Sequence, residues 1–436
     1  MQLRGGGSAL PGLVVEKLDP GFLARVLSSL PRGVVVITGT NGKTTTAKIV
    51  TELLRSAGLR VFTNQTGSNF TRGIVSEILG EIKKSKLDAD IAVLELDEAY
   101  AVRFVKQIKP QFVLLLNVQP DQEDRFGGVE KTAKLLEKVA LSACNGIVLN
   151  RDDPLVTKIG DVIARNEETK QSRLNELRIT TQDVRGKTQP GSLPPNQATA
   201  PHLRAGAWVR NDNGGVVVKY FGYSAKLAGK FGEQSSPKSK PADVELTSFM
   251  NGAAEYKIDG KRYMTALQLS GSHNALNSAA ALAMVRMVIG DKVKIYKLLK
   301  TLAEIKPAFG RGEIIKVNGQ EIEIILAKNP TGWRLSLLSQ YNRNAETMIA
   351  INNNYGDGVD TKWISEVDFS CLQKVAVVSG MCADIVARRL KDSGAKNDEV
   401  EPDIKKALRI FLSSRGSKKQ IFCNYTAMME IRKLLM

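Results

Sequence analysis

The stretch Val34–Thr46, reading VVVITGTNGKTTT, constrains this chain more than any other. Its β-branched start has no polar alternation, as expected of a strand buried on both faces. Thr38-Gly39-Thr40-Asn41-Gly42 follows as a turn, and a helix opens at about Lys43. Ala47, Val50, Leu53, Leu54 and Ala57 form its apolar stripe and Gly58 its stop. A buried strand that passes through a Gly-rich turn into a helix N-terminus suits a phosphate group. Glycines let the backbone close around the oxygens, and free helical N–H groups point at the anion. In that frame Lys43 neutralises β/γ-phosphates and Thr44 places a hydroxyl on Mg²⁺. Ile37 stands where the strict G-x-x-x-x-G-K-[ST] pattern has its first glycine. The competing reading is a chance Gly-rich turn with a solvated lysine; the strand–turn–helix context and three consecutive threonines count against it.

Short apolar runs recur at Arg60–Thr63, Ile91–Leu94 and Phe112–Leu116, separated by helical stretches, which is the β-α-β pattern of a parallel sheet. From about Asp161 to Thr265 the character changes. Gln189–Pro201 and Gly232–Asp243 read as loops, and Val216–Tyr220 and Tyr256–Met264 as small β-elements, so the stretch reads as an insertion. A helix over Ala275–Val288 resumes the α/β pattern. After Pro307 a second α/β unit begins with a hairpin, Ile314–Val317 and Glu321–Leu326, around the type I′ turn signal Asn318-Gly319. Strands at Met348–Ile351, Val375–Val378 and Gln420–Asn424 and helices at Asp384–Lys391 and Ala427–Leu435 complete it.

Composition excludes several function classes. The 436 residues suit two to four domains, with 43% apolar and 25% charged residues. No run approaches a membrane span, and the N-terminus lacks an apolar signal core. Cys144, Cys371, Cys382 and Cys423 lie far apart, which argues against a disulfide framework or thiolate zinc site and fits a reducing cytosol. With two histidines in the chain, His202 and His273, no cysteine has an evident base, so the chain is not itself a glutaminase. The charge of +17 favours anionic partners. It is spread out: residues 161–265 hold 16 basic and 11 acidic side chains, and no aromatics interleave with Arg388-Arg389 or Lys418-Lys419 to stack bases, so nucleic acid is not expected.

A nucleotide site also needs a carboxylate for its metal. Glu95 ends the run Ile91–Leu94, and a carboxylate at the C-terminal edge of a central strand faces the same crevice as the phosphate turn. Asp97 and Glu98 follow; a solvated acidic turn is the plainer alternative.

GTNGKTT, with the surrounding motifs, resembles the Mur ligase family, whose members use ATP to turn a carboxylate into an acyl phosphate that an amine attacks. The core starts almost directly after Arg4–Gly12, leaving no room for a separate UDP-binding domain. In this the chain is similar to the MurT-like synthetase subunits of lipid II amidotransferases. Further MurT-like segments are LELDEA (94–99), DQEDRFG (121–127), GSHNALN (271–277), FGR (309–311), AKNPTG (327–332), DGVD (357–360) with Trp363, and YTAM (425–428).

The resemblance implies a central P-loop ATPase domain over residues 1–305, with the inserted irregular and β segment at about 161–265. A Rossmann-like α/β C-terminal domain follows over 306–436. It implies ATP contacts from Gly39, Thr40, Asn41, Gly42, Lys43, Thr44 and Thr45, adenine contacts from Asn274 and Asn277, and phosphate contacts from Arg311 and Lys328. It implies Thr44 and Glu95 as Mg²⁺ ligands, with Lys43 and Glu95 serving catalysis. Gln122 stands where many relatives place a second-metal histidine, which argues against a second metal. Asp357, with Asp360 as second choice, matches an essential acid that works near a partner glutaminase; an acidic turn is the plainer reading. The zinc-ribbon cysteines of most MurT-like chains are absent from 161–265, so no zinc is expected.

The expected activity is ATP-dependent amidation of the D-Glu α-carboxylate of the lipid II stem peptide. Ammonia would come from a GatD-like glutamine amidotransferase subunit, in the cytosol at the inner membrane face. Two alternatives stand beside it: a Mur- or folylpolyglutamate-type ligase that joins an amino acid to a carboxylate, and a basic non-enzymatic P-loop module.

Overall fold

A computed structural model describes residues 10–64, 71–83, 86–119, 128–185, 215–228, 240–307, 311–354, 357, 360–414 and 416–436. The first half is organised by a nine-stranded sheet. In chain order its strands are β1 (Val34–Thr38), β2 (Val61–Thr63), β5 (Ile91–Glu95), β6 (Phe112–Leu115), β7 (Gly146–Asn150), β8 (Val217–Tyr223), β9 (Val244–Met250), β10 (Ala253–Ile258) and β11 (Lys261–Ala266). Two short strands, β3 (Ile82–Lys83) and β4 (Lys86–Leu87), pair separately. The spatial order is β11-β10-β9-β8-β7-β6-β1-β5-β2.

Neighbours from β2 across to β9 are parallel; only β9–β10 and β10–β11 are antiparallel. A parallel sheet is covered on both faces, and β1 shows why its sequence does not alternate. Val35 and Ile37 join one core with Ile49, Val50 and Leu53 of the helix Lys43–Ser56, whereas Val34 and Val36 join the other with Ile74, Phe104 and Leu136. Within the stretch 161–265, β8 pairs directly onto β7 and β9 onto β8, so its strands are continuous with the central sheet. The helix Ser272–Ile289 is buried on nearly every side, and its alanines Ala279, Ala280 and Ala281 let it approach the sheet closely.

The second half holds a six-stranded sheet: β12 (Arg311–Val317), β13 (Gln320–Leu326), β14 (Glu346–Ala350), β15 (Lys374–Ser379), β16 (Lys396–Glu401) and β17 (Lys418–Cys423), ordered β12-β13-β17-β14-β15-β16. β12 and β13 form the expected hairpin, with Asn318 and Gly319 at φ +49° and +78° as a type I′ turn requires. The other pairings are parallel. Trp333, Leu337, Val386 and Leu390 cover one face; Ala407, Leu408, Phe411 and Met428 cover the other. At the N-terminal edge of this sheet the fully buried Lys419 ammonium donates to Glu346 Oε2 and Ser414 Oγ and lies 4.7 Å from the Phe411 ring centre. β16, which no apolar run in the sequence marks, is largely polar and half-exposed.

Candidate nucleotide site

The site follows from strand order. β5 and β6 flank β1, so the residues that leave the C-terminal ends of these three strands meet at one edge. The turn after β1 lies between Glu95, at the end of β5, and Asn117, just past β6. Gly39 has φ +129°, and a side chain there would meet the Asn117 backbone at 2.9 Å. Gly42 has φ +87°, and a Cβ would come within 2.5 Å of Asn277 Oδ1.

Lys43 Nζ donates to the Gly39 carbonyl at 2.5 Å and the Thr40 carbonyl at 3.0 Å and lies 3.8 Å from Glu98 Oε2. The ammonium is therefore held over the turn. Thr44 Oγ1 donates to Glu95 Oε1 at 2.7 Å; both residues are buried. Asn64 fixes the Glu95 backbone from both sides, accepting its N–H at 2.9 Å and donating to its carbonyl at 2.8 Å. Thr45 is buried in the same turn of helix.

The expected adenine residues face this turn. Asn277 Nδ2 donates to Asn274 Oδ1 at 3.3 Å, and Asn274 Nδ2 donates to the Ser270 carbonyl at 2.7 Å. A cavity of about 490 Å³ opens between the two halves of the molecule, with Asn41, Gly42, Thr45, Asn274 and Asn277 on one wall and Arg334 and Gln340 on the other. Its floor includes Asp152 and Asp153, whose carboxyls burial pushes above the usual range against the pull of backbone N–H bonds from Tyr223 and Val118. The wall that meets the turn is mostly amide and hydroxyl, and each amide can donate and accept at once.

The remaining expected residues lie in the second half. Arg311 opens β12, and its side chain lies outside the described residues, as do Asp121–Gly127, Phe309 and Gly310. Lys328 Nζ lies 5.2 Å from the Tyr425 ring centre. Next to Tyr425, Thr426 donates to Asp357 twice, from its N–H at 2.9 Å and from its hydroxyl. Asp357 and Lys328 thus share the C-terminal edge of the second sheet, where Asn329, next to Lys328, reaches Asn41 of the phosphate turn at 3.4 Å. Asp360 is exposed and accepts the Lys362 N–H at 2.9 Å, an Asx-type turn that leads into a short 3-10 helix, Lys362–Glu366. Cys382 and Cys423 are buried in this region, and burial, reinforced by the Asp357 charge, pushes both thiols up, away from nucleophilic thiolates.

Sequence reasoning missed Asn64, Asn117 and Gln119. The signal was available: Asn117 and Gln119 leave the C-terminal end of a buried strand, the rule that located Glu95.

Comparison with known proteins places both halves. Residues 37–193 match the Mur ligase middle domain and residues 326–428 the MurT ligase C-terminal domain. The chain is 28% identical to the lipid II isoglutaminyl synthase (glutamine-hydrolyzing) subunit MurT of Streptococcus pneumoniae, over 99% of this chain and 93% of that one. It is also 28% identical to the MurT subunit of Staphylococcus aureus, over 97% and 91%. Among solved structures, MurF ligase from Thermotoga maritima in complex with ADP superposes with TM-score 0.64 at 17% identity, covering all of this chain and 84% of that one. A pseudomurein peptide ligase type C from Methanothermus fervidus gives TM-score 0.62 at 17% identity, covering 95% and 79%. These two likenesses establish the fold. The chain thus carries a Mur ligase middle domain and a MurT ligase C-terminal domain and is MurT-like along nearly its whole length.

Proposed function

We propose that the chain is the ATP-using synthetase subunit of a lipid II amidating enzyme, activating the D-Glu α-carboxylate of the stem peptide for attack by ammonia. One observation carries this reading: a single chain sets a fully formed phosphate turn against a C-terminal domain of the MurT type. ATP occupies the cavity between the halves, its phosphates over Gly39–Thr45 and its base toward Asn274 and Asn277. Lys43 neutralises the phosphates from its place above the turn, and Arg311 and Lys328 add charge from the second domain.

The donor set fits magnesium. Thr44 and Glu95 offer two adjacent hard oxygens, and among the described residues no cluster of three or more metal-ligating side chains competes. Bound there together with phosphate oxygens, the ion would supply charge neutralisation. The carboxylate oxygen attacks the γ-phosphorus as the bond to ADP breaks, giving an acyl phosphate. Ammonia adds to its carbonyl carbon, and inorganic phosphate leaves with the C–O electron pair as nitrogen loses a proton. The protein's part is alignment and charge, not a covalent nucleophile.

Ammonia comes from a GatD-like glutaminase on a separate chain, and Asp357, oriented by Thr426, faces that partner. Among the described residues no helix is long and apolar enough to cross a membrane. The lipid substrate is met from a peripheral position at the inner face. The test is reconstitution with a GatD-like glutaminase, lipid II, ATP and glutamine. Amidated lipid II and stoichiometric phosphate release are expected. Phosphate release driven by an amino acid and not by ammonia indicates the peptide-ligase alternative, and no phosphate release overturns both.

A further inference from the structure

The phosphate turn is held by the segment that leaves β6. Thr40 N–H donates to the Asn117 carbonyl at 3.0 Å. Asn41 N–H donates to Asn117 Oδ1 at 2.8 Å, and Asn117 Nδ2 donates back to the Asn41 carbonyl at 3.1 Å. Thr40 Oγ1 accepts the Gln119 N–H at 3.0 Å, and Asn41 Nδ2 donates to Gln119 Oε1 at 2.7 Å. Asn41 Oδ1 is left to accept from Asn329 Nδ2 of the second domain at 3.4 Å.

This pattern is more than tethering. Asn117 serves the donor and the acceptor of one backbone residue together, using the two ends of its amide. Gln119 fixes which end of the Asn41 amide points across the cavity. Ordering a turn of this kind costs backbone conformational entropy. Ordering it in the free protein removes that cost from nucleotide binding. Both residues border the cavity, yet neither belongs to the turn.

We propose that Asn117 and Gln119 are positioning residues for the nucleotide: they hold Gly39–Asn41 in the shape that receives phosphate. The proposal rests on the nucleotide reading above. It is tested on the full chain by MgATP titration, by nucleotide-free thermal unfolding, and by phosphate release with the partner present.

Asn117→Ala is expected to weaken MgATP binding about tenfold and Gln119→Ala about threefold, as for one or two neutral hydrogen bonds. The KM for ATP should rise with the dissociation constant while the KM for the lipid acceptor stays put. A merely structural defect would move both. Asn117→Asp keeps the acceptor for Asn41 N–H but sets an anion against the Asn41 carbonyl, so it should not restore binding. Gln119→Ala should add nothing in an Asn41→Ala background, because its side-chain bond to the turn is to Asn41. If Asn117→Ala does not fold, Gln119→Ala and its double variant decide. Wild-type chain that fails to bind MgATP overturns the nucleotide reading itself. Wild-type binding matched by equally tight binding of the variants overturns the positioning role alone.

Discussion

At the scale of single residues, the site divides into groups that carry charge and groups that carry shape. Lys43 and Glu95 are of the first kind. Lys43→Ala and Glu95→Gln should each lower phosphate release by about 10²–10³-fold, the loss typical of one electrostatic contributor to a transition state; a single-turnover assay at saturating ATP measures it. Gly42 is of the second kind. A Cβ there meets both a left-handed backbone and the Asn277 amide, so Gly42→Ala should cost about 1–2 kcal/mol and weaken ATP binding, read by denaturant titration and by ATP titration. The acids of the second domain separate by their bonds. Asp357→Asn should impair glutamine-driven amidation, whereas Asp360→Asn, altering an exposed turn, should leave it near wild type.

At the scale of elements, the buried Lys419 invites a direct test. Glu346→Ala strands a buried ammonium and should cost about 3 kcal/mol, while Lys419→Met, which removes the charge and keeps the packing, should cost less; urea unfolding ranks them. Burial alone would raise the Glu346 carboxyl, but bonds from Lys419 and Ser414 outweigh it and hold the group below its ordinary value. A depressed acid contributes stability above its unfolded pKa and loses it as pH falls through the folded one. Wild type should therefore lose stability faster than Glu346→Gln below about pH 4.5.

The same scale shows what sequence patterns reveal. Buried runs such as Val34–Thr38 and Ile91–Leu94, and the Asn318-Gly319 turn, announce themselves because hydrophobic burial and positive φ leave local marks. β16 leaves little: Lys396–Glu401 is a largely polar edge strand whose one apolar side chain, Val400, packs against the core. The continuation of the central sheet through β8–β11 was equally hidden, because pairing across intervening chain is a tertiary choice. In the site, Lys43, Thr44 and Glu95 are motif residues, whereas Asn117 and Gln119 gain meaning only once β6 lies beside β1.

At the scale of the whole molecule, two α/β bodies close on one cavity, and a ligand that bridges them should stabilise the chain as a unit. MgATP at a hundred times its dissociation constant should add about 2.7 kcal/mol to unfolding, visible as a higher melting temperature that Lys43→Ala abolishes. The seam itself is polar in character. Asn41 meets Asn329, Ser270 meets Glu323 and Gln340, His273 meets Ser339, and Lys48 meets the Pro307 carbonyl. Each of these bonds can be handed to water at a net loss of only about 1 kcal/mol. Opening therefore breaks little that solvent cannot mend, and the chain can behave as a jaw whose grip is supplied by what it holds. Small-angle scattering should then record nucleotide as a narrowing of the distribution of shapes, before any chemistry takes place.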